Sequence, residues 1–541
     1  MNAGTARAAA PQDALERLRA LTASDIASTP EIWQARARLT PDATCLVWQG
    51  CRTGFGTAWS LIQAIAGRVR STATTARPRV ASYLGNCPET LWAMIGTHRA
   101  DGVFACLNRG HRGPLLADML GRTGARTLLT DREALGDLPE GLDRLGFARL
   151  VLVGGDPSAV PARLGVPAIA FDDWADHPAD SGAMPEARSV ATLMFTSGTT
   201  GRSKAVLLPH GMLTRGAARL AHALAYRADD VVHSWLPQFH VAAQLHITMT
   251  AALAGASVVL APTFSLSGFW AEVIGHGCTV ATLLPAQCAL LLEKTAPADA
   301  EGHRLRLIMV GPQPGPAMRR AAEERWGVPM RDTYGMTEAE PLTLPEPASD
   351  QPPGSCGRAN PDFELAIHGP DGIAVPVGVA GELVARPRRS GIMFAGYEGD
   401  AEATLAACRD LWFHTGDLAR IDGAGNVFVL GRLKHMIRRR GENISAWELE
   451  ALIGEHADVE ECAAVGVPSP LGEEDVKVVV QVKPHRAPDP AALHSWCAGR
   501  MARFMVPRYI EIVDSLPRTE IGKVAKTELT GVGANVWDAE A

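Results

Sequence analysis

The nine residues Thr196-Ser-Gly-Thr-Thr-Gly-Arg-Ser-Lys204 constrain this chain more than any other segment. They join two short apolar runs, Val190-Ala-Thr-Leu-Met-Phe195 and Ala205-Val-Leu-Leu208, each of which predicts a buried strand. A loop so dense in Gly, Ser and Thr lets backbone amides come close to an anion. Its hydroxyls add donors, and Lys204 adds positive charge. The combination points to phosphate. It is not a P-loop of the Walker type, because the spacing differs and a strand rather than a helix is predicted to follow. A plain flexible hairpin is the alternative; the mix of small, hydroxylated and basic side chains between two apolar strands argues against it.

The chain around that hairpin has 541 residues, too many for one ordinary domain, and 47% hydrophobic residues, ample for a large core. Strand-like and helix-like segments alternate over most of the length, which predicts an α/β architecture. Pro88-Glu89 opens a helical pattern through Leu91 and Ile95. The most apolar stretch, Ile247 to Ala261, is broken by Gly255 and Ser257 and predicts a buried helix running into a strand, not a membrane span. A net charge of −7 gives no basic excess for nucleic acid or an anionic membrane. Ten cysteines, none spaced as Cys-x-x-Cys, speak against a disulfide framework or zinc site and for a reducing cytoplasm. Met1 to Thr22 carries Asp13, Glu16 and several arginines and lacks the apolar run of a signal peptide.

Near residue 432 the texture changes. Gly431-Arg-Leu-Lys-His-Met-Ile-Arg-Arg-Arg-Gly441 is basic and ends in glycine, and Ser445-Ala-Trp-Glu448 has the pattern of a capping box that starts a helix. The remainder reads as a small α+β domain. The predicted domains are therefore 1–431 and 432–541.

Four further segments carry chemistry-bearing residues. In Asp332-Thr-Tyr-Gly-Met-Thr-Glu338 a tyrosine can stack on a base, a hydroxyl can meet phosphate and a carboxylate can hold Mg²⁺. In Trp412-Phe-His-Thr-Gly-Asp417 a carboxylate on a tight turn can accept both hydroxyls of a ribose. Gly431-Arg432-Leu433-Lys434 leads on to Gly441-Glu442-Asn443-Ile444-Ser445, and Leu516-Pro-Arg-Thr-Glu-Ile-Gly-Lys523 puts a lysine on a glycine-containing turn. Taken singly, each has a plain structural reading as a turn, a cap or a solvated basic linker. One count is independent of these motifs. Only seven of the 52 basic residues are lysine, namely Lys204, Lys294, Lys434, Lys477, Lys483, Lys523 and Lys526. Against so strong a preference for arginine, a lysine marks a place where a compact point charge suits better than a planar fork.

In this order the five segments resemble the adenylate-forming superfamily of acyl-CoA synthetases, adenylation domains and luciferases, from about Asn86-Cys-Pro-Glu-Thr90 to Lys526. Arg438-Arg-Arg-Gly-Glu-Asn-Ile-Ser445 and Met501-Ala-Arg-Phe-Met-Val-Pro507 look most like carnitine/crotonobetaine-CoA ligases and related acyl-CoA ligases. The resemblance implies a large N-terminal domain of αβαβα layers with a β-barrel subdomain, and a small mobile C-terminal domain hinged near Lys434. It implies ATP, Mg²⁺ and coenzyme A as cofactors and an acyl-AMP intermediate. By matching motifs, Thr196, Ser197, Gly198, Thr199, Thr200, Gly201 and Lys204 cradle the β- and γ-phosphates. Thr337 contacts the α-phosphate and Glu338 holds the metal. Tyr334 lines the adenine site, with Asp332 also among the nucleotide-contacting residues, and Asp417 and Arg432 hold the ribose. Lys523 bridges the substrate carboxylate and the α-phosphate. After the C-terminal domain rotates, Gly441, Glu442 and the residues to Ser445 guide the pantetheine thiol. Three of the seven lysines, Lys204, Lys434 and Lys523, fall where the family pattern has functional ones. The sequence departs from the pattern in two places. Its phosphate loop reads Arg-Ser-Lys-Ala, and Gly311-Pro-Gln-Pro314 puts two prolines into the wall beside the adenine and acyl pocket.

Leu236-Pro-Gln-Phe-His-Val-Ala-Ala-Gln244 matches the acyl-pocket stretch. It contains no aspartate to pair with an α-ammonium, so the expected substrate is a carboxylic acid that is not an amino acid. His240, Gln244, Gly311 and Gln313 are the expected pocket residues, and His240 shapes or gates the pocket. A packed structural histidine is the alternative. Three acceptors are compatible: coenzyme A; a separate carrier protein; or, on the same scaffold, an amine or the activation of a small oxyacid such as nitrite. A regulator that has lost catalysis is the reading from another class, and the presence of both Lys523 and Glu338 argues against it.

Overall fold

A computed structural model describes residues 26–196, 203–311, 315–346, 351–433, 436–439, 442–469, 474–501, 503, 505–519, 523–533 and 535–540. Internal contacts divide the chain into two compact units, Met1–Glu364 with Arg386–Arg409, and Leu365–Ala385 with Asp410–Ala541.

Two sheets organise the first unit. One has eight strands in the order Gly396–Tyr397, Lys204–Pro209, Val190–Thr196, Val103–Cys106, Arg79–Tyr83, Thr127–Asp131, Arg149–Val153 and Ala168–Ala170. The other has seven, in the order Met330–Arg331, Leu307–Val310, Val280–Leu283, Val231–Ser234, Ser257–Leu260, Thr44–Trp48 and Cys51–Gly54. Most neighbours run parallel. Such strands are covered on both faces and read as continuous apolar runs; Val280–Leu283 and Leu307–Val310 are buried throughout.

Helices lie between the sheets. Phe55–Ser71 touches the strands Thr44–Trp48 and Cys51–Gly54 of one sheet, Pro88–Arg99 touches Arg79–Tyr83 and Val103–Cys106 of the other, and the two helices pack on each other. A helix in that layer has no solvent face, which is why Thr90 to Arg99 are all buried and why His210–Ala223 is buried almost all round. Outside the eight-stranded sheet lies Gly113–Thr123, whose Leu116, Met119 and Leu120 join the core of Tyr83, Ala105 and Leu128. Outside the seven-stranded sheet, Phe269, Trp270, Leu291, Ala322 and Trp326 cover Ala281 and Ile308. The αβαβα layering follows. The apolar stretch Ile247 to Ala261 is indeed buried helix, Thr250–Ala254, leading to the strand Ser257–Leu260.

The β-barrel expected within this fold is not closed among the described residues. In its place Phe363–His368, Gly381–Pro387, Phe413–Ile421 and Val427–Arg432 form an open four-stranded sheet. Four short strands are too few to curl round a packed interior. The second unit also holds a four-stranded sheet of Val459–Pro468, Glu474–Val482, Tyr509–Val513 and Trp537–Asp538. The helices Ala446–Ile453 and Pro490–Ala498 cover it through Leu449, Ile453, Leu493 and Cys497. The first of these starts one residue after Ser445, at the predicted capping box. No described helix is long and apolar enough to cross a membrane.

Candidate active site

The hairpin forms where the apolar runs predict it. Val190–Thr196 and Lys204–Pro209 pair antiparallel, with Phe195 opposite Ala205 and Thr196 opposite Lys204. Thr196 Oγ1 donates to the Lys204 carbonyl at 3.5 Å. The tip of the loop, with Ser197, Gly198, Thr199, Thr200 and Gly201, lies outside the described residues.

The Asp332 to Glu338 segment leaves the edge strand Met330–Arg331. Met336 and Ala339 exchange both backbone hydrogen bonds, at 3.0 and 2.9 Å, so Thr337 and Glu338 form the tip of a tight turn. Thr337 is half-buried and Glu338 is buried. The Tyr334 amide donates to Thr343 Oγ1 at 2.8 Å. The backbone of buried Asp332 is clasped by Gln351, whose Oε1 accepts at 3.3 Å and whose Nε2 donates at 3.2 Å. Gly311 stands beside it; a Cβ there would lie 3.5 Å from Asp332 Oδ1.

One residue not singled out in the sequence ties the hairpin to this turn. Tyr397 sits on a two-residue strand that pairs antiparallel with the hairpin, Tyr397 opposite Val206. Its hydroxyl donates to Glu338 Oε1 at 2.8 Å, and Lys204 Nζ stands 4.5 Å from its ring centroid. Burial first, then the negative charge of Glu338, raises the phenol far above its ordinary range, so it stays a neutral donor. No motif announces Tyr397 in the sequence. Only the strand pairing, nearly 200 residues from the loop in sequence (Lys204 to Tyr397), brings it there.

In the stretch Leu236 to Gln244, His240 is exposed at the turn that opens the π-helix Ala243–Met249, with its ring 4.5 Å from that of Phe239. Gln244 is fully buried, and both ends of its carboxamide are held. Oε1 accepts from Thr192 at 3.3 Å, and Nε2 donates to the Gln238 carbonyl at 2.7 Å. Thr192 continues a buried chain: its Oγ1 lies 3.2 Å from His98 Nε2, His98 Nδ1 lies 2.9 Å from Thr29 Oγ1, and Thr29 Oγ1 lies 3.0 Å from His210 Nδ1. A second pair absent from the sequence reading is His246 Nε2 with Glu340 Oε1, at 2.8 Å. Glu340 lies so close beneath Gly335 that a Cβ there would stand 2.5 Å from its Oε2, so any side chain at 335 would have to push the Glu340 carboxylate aside. Gln313 lies outside the described residues.

Within the second unit Asp417 and Arg432 are brought together. They face each other across two antiparallel strands, and Arg432 Nε meets Asp417 Oδ1 at 2.8 Å. The Asp417 amide donates to Thr415 Oγ1 at 3.1 Å, and Arg432 Nη1 donates to the Thr415 carbonyl at 3.2 Å. Lys523 is exposed. Its amide donates to Thr519 Oγ1 at 3.2 Å and its carbonyl accepts from the Thr519 amide at 2.7 Å. Glu442 opens the strand Glu442–Ser445; Lys434 and Gly441 lie outside the described residues.

Two family models decide the family. Residues 33–397 match the AMP-binding enzyme model, and residues 448–523 match the AMP-binding enzyme C-terminal domain. The chain belongs to the AMP-binding enzyme family. It is 32% identical to an indoleacetate–CoA ligase of Aromatoleum aromaticum, over 91% of this chain and 96% of that protein. It is 28% identical to a crotonobetaine/carnitine–CoA ligase of Salmonella paratyphi A, over 92% of this chain and 98% of that protein. The fold also matches the crystal structure of an anthranilate CoA ligase in complex with anthranoyl-AMP, with a TM-score of 0.83 at 22% identity, over 93% of this chain and 96% of that one. AMP-binding enzymes of this kind are adenylate-forming, with a large N-terminal and a smaller C-terminal domain, and the resemblance read from the five segments is thereby confirmed.

Among the described residues no group of three or more His, Cys, Asp or Glu could hold a metal ion by itself. Mg²⁺ is commonly held by one or two carboxylates together with substrate phosphates. Glu338, a hard oxygen donor fixed on one side by Tyr397, has the chemistry for it.

Proposed function

We propose that this chain is an AMP-forming acid–thiol ligase. It activates a carboxylic acid that is not an amino acid as an acyl-AMP, with release of pyrophosphate, and transfers the acyl group to coenzyme A. The observation that carries the reading is the meeting of Lys204 and Glu338 on the two sides of Tyr397. A carboxylate must attack a triphosphate, so two anions have to approach each other, and fixed cations in a water-poor site offset their repulsion. Lys204 and the loop from Thr196 to Gly201 serve the β- and γ-phosphates, and Thr337 serves the α-phosphate. Glu338 holds Mg²⁺, which when bound neutralises phosphate charge. Asp332, Tyr334 and the Gly311 backbone border the adenine, and Asp417 with Arg432 takes the ribose. Lys523 brings the substrate carboxylate to the α-phosphorus.

The domain boundary at 431/432, the hinge at Lys434 and the passage of the thiol along Gly441, Glu442 and Ser445 belong to the same proposal. For the acid, the relatives supply two chemistries by name, an aryl-substituted acetate and a quaternary-ammonium acid. The stretch Leu236 to Gln244 has no carboxylate for an ammonium but does have a fixed carboxamide at Gln244, which favours the first. His240 and Gln313 complete that pocket. All ten cysteines are free, in keeping with a reducing cytoplasm.

The test is pyrophosphate release with ATP, Mg²⁺ and a panel of acids, followed by mass spectrometry of the product with and without coenzyme A. Release with an aryl-substituted acid and capture as the CoA thioester is expected. No release across the panel would sink the ligase reading, and acyl-AMP that persists in the presence of coenzyme A would exclude it as the acceptor.

A further inference from the structure

Lys204 and Glu338 are the cation and the anion to which the proposed chemistry assigns phosphate and magnesium. Both contact the same side chain, Tyr397, and opposite charges brought close in a water-poor site attract strongly. A direct ion pair between them would satisfy each and leave neither for its ligand. Among the described residues no such ion pair forms. A single side chain contacts both and gives each a neutral partner. The Tyr397 hydroxyl donates to Glu338 Oε1 at 2.8 Å, and the ring face receives the Lys204 ammonium at 4.5 Å. We propose that Tyr397 is a positioning residue that keeps Lys204 and Glu338 from neutralising each other, so that the lysine remains available to phosphate and the carboxylate to magnesium.

The surroundings of the ring are built for this. Tyr397 is fixed by its strand pairing to Val206, two residues beyond Lys204 on the same strand. Its amide donates to Thr404 Oγ1 at 2.9 Å, and Thr404 Oγ1 donates to the Asp400 carbonyl at 2.9 Å. The same short segment grips Glu338 a second time, because the Phe394 amide donates to the Glu338 carbonyl at 2.8 Å and the Phe394 ring lies 5.1 Å from that of Tyr397. The turn that carries Glu338 and the strand that carries Lys204 are therefore held in register by one segment, Phe394 to Tyr397. A neutral phenol suits the place. A charged side chain would pair with one of the two partners and repel the other, whereas a hydroxyl orients one carboxylate oxygen and leaves the second for a cation.

The inference rests on the roles proposed for Lys204 and Glu338, and the experiment separates the two. Pyrophosphate release by the full-length protein is measured while Mg²⁺ and ATP are varied independently, for the wild type, Tyr397→Phe, Tyr397→Leu and Glu338→Gln. Tyr397→Phe keeps the ring and loses the donor. It is expected to raise the Mg²⁺ concentration for half-maximal rate by about tenfold, with the KM for ATP changed by less than about twofold. Tyr397→Leu also removes the ring face and is expected to raise both. A merely structural role would lower the melting temperature without moving the Mg²⁺ dependence. If Tyr397→Leu does not fold, Tyr397→Phe decides alone. An unchanged Mg²⁺ dependence in Tyr397→Phe overturns the inference. If Glu338→Gln shifts that dependence, the metal role stands and only the part played by Tyr397 falls. If Glu338→Gln leaves it unchanged too, the assignment of Glu338 falls with it.

Discussion

Asp362 holds two arginines at close range and a third nearby. Its Oδ2 accepts from Arg215 and Arg219 Nε at 2.7 Å each, and Arg389 Nε stands 3.8 Å from Oδ1. Burial by itself would raise its pKa, but the hydrogen bonds and charges of Arg219 and Arg215 outweigh burial and hold it at about 2. With the unfolded carboxyl at 3.8, this stabilisation is complete above that pH and is lost as pH falls toward about 2. Asp362→Asn should cost about 3–5 kcal/mol, because it leaves buried guanidinium charge without its carboxylate. Thermal melts should show a lower melting temperature at neutral pH and a shallower decline between pH 4 and 2 than in the wild type. At this scale the sequence was legible through its scarce lysines, yet the rule behind them is broader than catalysis. Lys477 is buried and donates to the Leu529 carbonyl at 2.9 Å and to the Gly531 carbonyl, and it pairs with Glu511 at 2.7 Å. Lys526 pairs with Glu450 at 2.6 Å. A compact ammonium serves both places, but Lys294 is 56% exposed beside Glu293 and Lys483 is exposed, so rarity by itself did not mark a site.

Among the elements, the hairpin of Val190–Thr196 and Lys204–Pro209 was readable because two apolar runs flank a loop that no strand or helix can absorb. The strand Gly396–Tyr397 was not. Two residues carry no periodicity, and its existence depends on the exposed edge it completes. The π-helix Ala243–Met249 was equally invisible, since its extra residue per turn comes from packing and not from propensity. The helices between the sheets carry another feature that composition hides. His98 lies on Pro88–Arg99 and His210 opens His210–Ala223; their rings stack edge to face 5.3 Å apart and both are fully buried. Burial lowers the pKa of His98 from 6.5 to about 3 and lowers that of His210 well below 6.5, so both stay neutral in the fold. An unfolded chain binds those protons below about pH 6.5 and the folded one does not, so this contribution is present above that pH and is lost as pH falls toward 3. The melting temperature is expected to drop between pH 7 and pH 5. A His98→Asn/His210→Asn double variant should start lower, through lost hydrogen bonds, and fall less steeply over the same range.

For the whole molecule, the order of five motifs made the family legible while the barrel it suggested is not closed among the described residues, because closure depends on strand number and tilt, which no local pattern encodes. The residues proposed for the site divide between two compact units, with Lys204, Thr337, Glu338 and Tyr397 in one and Asp417, Arg432 and Lys523 in the other. If the second serves two half-reactions in turn, Lys523→Ala should lower adenylation by a factor of about 10² or more and leave thioester formation from supplied acyl-AMP within a few-fold of wild type. Stopped assays of the separate half-reactions would read this, and an equal loss in both would contradict it. The second unit also has a closing device in Lys477, whose ammonium is fastened to the carbonyls of Leu529 and Gly531 while Tyr509 and Ile510 pair with Asp538 and Trp537. Leu529, Gly531 and the strand Trp537–Asp538 are thus a staple and not a tail. Trimming the protein just past Lys526 would strand a buried cation and strip the edge strand Trp537–Asp538 from its sheet. A shortened protein that fails to adenylate would then report the loss of this fastening and not the absence of a catalytic group.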